Sequence, residues 1–113
     1  MEMQDNQHNR QTQIRQLCER LAELLIAKNT DYGDSAFKAP PLVPCLSPAA
    51  AILVRIGDKI ERLENLAKKA GELAFCVDSE TVEDTVADLA GYCILYLIAM
   101  QEAQDAKTEV DEE

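Results

Sequence analysis

The chain has 113 residues, a length that suits one domain with a single modest core. Tryptophan is absent and aromatic residues make up 4% of the chain, so this core must be aliphatic. The formal net charge of −10 argues against a general nucleic-acid binder, which needs a basic footprint, but it allows a small anionic ligand at a local basic patch.

The first part of the chain predicts a disordered segment followed by one helix. Residues 1–10 are rich in Gln and Asn and lack apolar anchors, so we expect them to be disordered. From Thr12 to Asn29, apolar side chains recur at helical spacing. Residues 30–47 contain Gly33 and three prolines, which exclude a long helix and indicate a long loop.

Two further helices are predicted after this loop. Ser47 followed by Pro48 is typical of a helix start, with serine as the N-cap and proline at the first helical position. This second helix should continue to about Ala70. A third helix should begin at Ser79 and reach about Ala103.

These elements predict an all-α domain over residues 11–104, followed by an acidic, disordered tail over residues 105–113. The third helix is apolar nearly all round between Leu89 and Met100, which is more than three helices can easily cover. We therefore expect a homodimer or higher homo-oligomer that completes a helical bundle.

Cysteine usage and the apolar pattern bear on the compartment. The four cysteines stand far apart, and His8 is the only histidine, so a zinc site is poorly supported. The first residues are polar and do not predict a signal peptide, and the apolar run from Leu89 to Met100 is too short to span a bilayer. We expect a cytoplasmic protein with free thiols and no membrane contact.

A basic row on the second helix is the main candidate binding site. Arg55, Lys59 and Arg62 are spaced i, i+4 and i+7 and share one side of the helix. Asp58 and Asn65 occupy the adjoining strip. Three cations beside an apolar face suit the phosphates of a small ligand. The alternative is a set of surface ion pairs, each contributing only tenths of a kcal/mol.

Carboxylates on two other helices are candidate metal ligands. Asp84 and Asp88 lie one turn apart on the third helix, opposite an apolar stripe that contains Val86 and Cys93. Two such acids can share Mg²⁺, or they can pair with the basic row across the helix interface. Glu23 on the first helix is a weaker candidate for the same metal site.

Gly57 and the loop after the first helix are two further features that can indicate contact with a ligand. Gly57 inside a helix costs about 1 kcal/mol relative to alanine, which suggests close approach by a ligand or another backbone. In the loop after the first helix, Tyr32 can stack on a base and Asp31 can contact it, with Lys28 nearby. Alternatively, the aromatic residues fix this loop to the bundle.

Three ordered motifs carry a family resemblance: Lys28-Asn29-x-Asp31-Tyr32-Gly33-x-Ser35-x-Phe37, Arg55-x-Gly57-Asp58-Lys59-x-x-Arg62-Leu63-x-Asn65-Leu66 and Glu80-x-x-x-Asp84-x-x-x-Asp88-Leu89-x-x-Tyr92. They resemble the nucleotide modification associated domain 1 family, a small domain of bacteriophages and prophages. The resemblance covers roughly residues 14–100. It implies a phage or prophage protein in a bacterial cytoplasm, linked to nucleotide metabolism or DNA modification.

The chain is also distantly similar to all-α nucleoside triphosphate pyrophosphohydrolases of the MazG type. That similarity implies Mg²⁺ held by acids from two helices, with Glu19 and Glu23 corresponding to the first acidic helix and Asp84 and Asp88 to the second. The chain departs from their pattern, because its acids are four residues apart instead of forming Glu-x-x-Glu and Glu-x-x-Asp pairs.

The leading interpretation is a nucleotide-binding protein with a possible Mg²⁺-dependent pyrophosphohydrolase activity. A second is a non-catalytic binder that sequesters a nucleotide or a nucleotide-derived immune signal. A third is a structural or interaction module, in which the charged residues form salt bridges between helices.

Overall fold

Among the residues that it describes, a computed structural model shows three α-helices in chain order: α1 (Glu2–Asp31), α2 (Pro48–Ala70) and α3 (Ser79–Glu112), with a short 3₁₀ helix at Ser35–Phe37 between α1 and α2. The structure describes residues 2–31, 34–70 and 79–112, and within them the side chains of 5–31, 34–68 and 81–109. No strand occurs in these ranges, so the predicted all-α class is confirmed. The chain forms two compact units, Met1–Asp34 and Ser35–Glu113.

The first unit consists of α1 and the turn that follows it. The helix begins at Glu2 instead of Thr12, and so includes residues 2–10, for which the sequence predicted disorder. These residues include Glu, Met, Gln and Arg and contain neither Pro nor Gly, so a helix nucleated further along can propagate through them. After the helix, the Asp34 N–H donates to the Asn29 carbonyl oxygen at 3.1 Å, which closes the turn.

The second unit begins with the capped start of α2. The Ala50 N–H donates to the Ser47 hydroxyl oxygen at 3.1 Å, and the Ala51 N–H donates to the Ser47 carbonyl oxygen at 3.0 Å. Pro48 occupies the first helical position, where a missing N–H costs nothing. The predicted cap is confirmed, and the described part of α2 extends to Ala70, the predicted last residue. The predicted C-terminal glycine, Gly71, lies outside the described residues.

The core of this unit forms where α2 packs along α3, with the 3₁₀ helix against α2. Ile52 of α2 is 1% exposed, and Thr85 and Ala99 of α3 are also buried. The Thr85 hydroxyl donates to the carbonyl oxygen of Thr81 at 2.8 Å, so this buried polar group is satisfied inside its own helix. Small residues on α3 therefore allow α2 to approach closely.

The third helix is longer than predicted and more exposed. It continues to Glu112 instead of ending near Ala103, because the added residues contain no Pro or Gly and include several good helix formers. The Gln101 side-chain amide donates to an Asp105 carboxylate oxygen at 3.0 Å, one turn further on. By length and composition alone, α3 could cross a membrane, a test that helices of soluble proteins also meet.

Candidate functional site

The basic row and the acidic residues of α3 meet at the edge of the α2–α3 interface. The Lys59 ammonium lies 3.3 Å from a carboxylate oxygen of Asp88, and the two side chains are 27% and 36% exposed. Partial burial strengthens such a pair, while the remaining exposure screens it. The two charge sets of the sequence are thus in direct contact, and water still reaches both partners.

A second contact between the same helices involves Arg55 and Tyr92. The Arg55 guanidinium carbon lies 6.0 Å from the centre of the Tyr92 ring, at the outer limit of a cation–π contact. Arg55 precedes Lys59 by four residues, and Tyr92 follows Asp88 by four, so the helices run antiparallel with matched turns. Tyr92 was not among the residues predicted for the site. Once Lys59 is paired with Asp88, the antiparallel register of the two helices places Tyr92 opposite Arg55.

Arg62, the third member of the basic row, borders an open groove of about 440 Å³. The described residues that line the groove all lie on α2: Asp58, Glu61, Arg62, Asn65 and Leu66. Three of them, Asp58, Arg62 and Asn65, were candidate ligand-binding residues from sequence. Glu61 and Leu66 were not, although both lie within one turn of Arg62. The groove combines a cation, an amide, carboxylates and an apolar patch.

The predicted metal ligands are only partly brought together. Asp84 is exposed, one turn before Asp88, whose neighbour is the Lys59 ammonium. Glu23 is exposed on α1, in the other compact unit. The described residues contain no group of three or more His, Cys, Asp or Glu side chains placed to hold a metal ion. On the described residues alone, Asp84 and Asp88 are an incomplete donor set for Mg²⁺.

The predicted loop residues belong to the first unit. Lys28 lies in the last turn of α1, where a cation interacts favourably with the helix dipole. Asp31 is the last residue of α1 and is exposed. Tyr32 lies outside the described residues, so its proposed contact with a base stays a prediction.

Close packing against described residues does not explain Gly57. A Cβ atom built at this position would meet no atom within 4 Å among the described residues. By helical spacing, Gly57 also points away from the side of α2 that carries Arg55 and Arg62. A ligand bound along the basic row would therefore not need a glycine there.

Comparison with known proteins gives no family assignment, since no family model, no curated protein and no solved structure matches the chain. The resemblance based on the three sequence motifs therefore stays a prediction.

Proposed function

We propose that this chain binds the phosphate groups of a nucleotide along the basic side of α2. The groove beside Arg62 is the observation that carries the proposal. It places an exposed guanidinium next to the Asn65 amide and the Leu66 side chain, in a concavity of about 440 Å³. This volume falls within the roughly 300–1,000 Å³ typical of small-molecule sites.

The groove offers a separate contact for each part of a nucleotide. The Arg62 guanidinium can hold a phosphate through two parallel hydrogen bonds. The Asn65 amide and the Asp58 carboxylate can bond to sugar hydroxyls or to a base edge, and Leu66 supplies an apolar surface. Glu61 opposes the phosphate by charge, so it favours a ligand whose phosphates lie toward Arg62 and Lys59.

The other two members of the basic row extend this surface by one and two helical turns. Lys59 remains 27% exposed beside Asp88, and Arg55 is exposed beside the Tyr92 ring. A polyphosphate along α2 would draw Lys59 toward it and away from Asp88. Asp88 therefore competes with the phosphates for Lys59, and its negative charge lowers the affinity of the site for anions.

Hydrolysis of a bound nucleotide would require, in addition, the Mg²⁺ site that the sequence predicts. Asp88 contacts Lys59 of the row and Asp84 lies one turn before it on α3; with Glu23 they form the predicted Mg²⁺ ligand set. Bound Mg²⁺ would neutralise charge on the phosphates. Because the described donors do not by themselves complete such a site, binding is the function that the geometry supports best.

Isothermal titration calorimetry with a panel of canonical and modified nucleoside triphosphates tests the proposal, with and without Mg²⁺. We expect binding that falls at least about tenfold in Arg62→Ala, because a charge-assisted pair contributes roughly 1.5–3 kcal/mol. Lys107→Ala is the matched control, since it removes an exposed cation from α3, away from the described residues that line the groove. Equal affinities in both variants would rule out the groove as the binding site.

Assay of pyrophosphate release in the same mixtures separates an enzyme from a binder. If no triphosphate releases pyrophosphate, and Asp88→Asn changes no activity, the pyrophosphohydrolase version is excluded. Tight binding without turnover, with little dependence on Mg²⁺, would instead support a protein that sequesters a nucleotide or a nucleotide-derived signal.

The Lys59–Asp88 ion pair favours a second candidate, a structural or interaction module. In that case the charged residues hold α2 against α3, and no nucleotide binds. Arg62→Ala would then have no effect on nucleotide binding, because the wild-type protein would not bind a nucleotide either. The calorimetric panel distinguishes the two candidates, because only a binder gives a saturable heat with the wild-type protein.

A further inference from the structure

The exposed side of α3 carries a regular apolar seam. Its members are separated by four, three, four and three residues, the spacing of core positions in a coiled coil. We call this set the α3 seam: Val86, Ala90, Cys93, Leu97 and Met100. The pattern indicates that another helix packs here, because uniform burial in lipid would not require a heptad spacing.

The α3 seam is not the face that packs on α2. Val86 is 48% exposed, Leu97 66% and Met100 45%, whereas Thr85 and Ala99 on the α2-facing side are buried. Cys93 is a free, exposed thiol in the middle of the seam. An apolar surface that runs for four turns of a helix is larger than the scattered apolar residues usual on a soluble monomer.

The positions flanking the seam restrict its partner. Ala87, Ile94 and Gln101 lie on one side, and Leu89 and Tyr96 on the other, all without charge. The nearest charged residues on this side of the helix lie beyond the two ends of the seam: Glu83, three residues before Val86, and Lys107, seven residues after Met100. A partner helix must therefore present about two heptads free of charge.

We propose that the α3 seam binds the α3 seam of a second copy, antiparallel, about a two-fold axis at Cys93. This arrangement sets Val86 opposite Met100, since each lies seven residues from Cys93, and brings the small Ala90 within one residue of the level of the large Leu97, so that side-chain sizes complement each other. The same face is then used on both copies. The inference does not depend on nucleotide binding by α2.

Charge argues against a lipid surface as the occupant. The chain carries a net charge of −10, and cytoplasmic membrane surfaces are negative. Glu83 precedes the seam at one end, and several acidic residues follow it from Glu102 onward at the other. Repulsion between two acidic copies should also make the association stronger as salt is added.

Sedimentation velocity over a range of protein concentrations tests the proposal. We expect a dimer for the wild-type chain, and a dissociation constant at least about a hundredfold higher for Leu97→Glu, because each copy inserts a charge into the apolar seam. Ile98→Glu is the matched control: Ile98 is also exposed, at 42%, but it lies outside the seam. A monomeric wild-type chain, or equal weakening by both substitutions, would overturn the proposal.

Cross-linking tests the geometry without relying on a destabilising variant. In a chain whose other three cysteines are changed to Ser, a short bismaleimide should join Cys93 to its counterpart. A chain that keeps only Cys18 should cross-link far less. Mixed Val86→Cys and Met100→Cys chains, free of other cysteines, should join more readily than Val86→Cys alone. If Cys93 does not cross-link, a second copy is not the occupant. The same conclusion follows if the wild-type protein floats with lipid vesicles and Leu97→Glu abolishes that flotation.

Discussion

The ion pair between Lys59 and Asp88 should stabilise the packing of α2 on α3 by about 0.5–1 kcal/mol. Coulomb's law for two unit charges 3.3 Å apart in water gives about 1.3 kcal/mol. The entropy lost in ordering two flexible side chains offsets part of this attraction. Because both side chains are about a third exposed, the net contribution should stay within the range measured for surface ion pairs, up to about 1 kcal/mol. The pair should therefore contribute measurably without being essential to the fold.

A double-mutant cycle measures this coupling. Lys59→Met, Asp88→Asn and the double variant would be unfolded in urea, with helix content followed by circular dichroism at one fixed protein concentration. The coupling should shrink in high salt, as expected for a partly exposed pair. A coupling of zero in low salt, or one that salt leaves unchanged, would show that these side chains do not form an ion pair in solution.

Three further predictions concern α2 and its neighbour. Gly57→Ala should stabilise the protein by about 0.5–1 kcal/mol in urea unfolding and leave nucleotide affinity unchanged, because the added methyl group meets open space; a loss of affinity would mean that a ligand approaches Gly57. Ser47→Ala should cost about 1 kcal/mol by removing the acceptor of the Ala50 N–H, and Ser47→Asp should restore most of the loss, measured by the same unfolding. Asp88→Asn should tighten nucleotide binding in EDTA by releasing Lys59, and a loss of binding there would refute the competition between Asp88 and phosphate.

Local sequence signals predicted the helices better than they predicted where the outer helices end. Ser47 and Pro48 mark the start of α2 because capping depends on adjacent residues alone. The predicted start of α1, at Thr12, was ten residues too late, and the predicted end of α3, near Ala103, was too early. Residues 2–11 and 104–112 contain no Pro or Gly that would mark a helix boundary.

The partners of individual side chains were harder to predict. Helical spacing placed Lys59 beside the apolar face of α2, but its distance from Asp88 depends on the register of two packed helices. The spacing also identified an apolar stripe of α3 that contains Val86, Cys93 and Leu97, yet the buried residues that face α2 are Thr85 and Ala99. A sequence pattern shows which faces are apolar, and it does not show which neighbour covers each face.

The most direct test of the proposed nucleotide site is calorimetric titration of the wild-type chain and Arg62→Ala with nucleoside triphosphates at low salt. Our account requires a saturable heat for at least one triphosphate in the wild-type chain. It also requires at least about a tenfold weaker affinity in Arg62→Ala, with the affinity of Lys107→Ala unchanged. Absence of any saturable heat across the panel, or the same affinity in Arg62→Ala as in the wild-type chain, would contradict it.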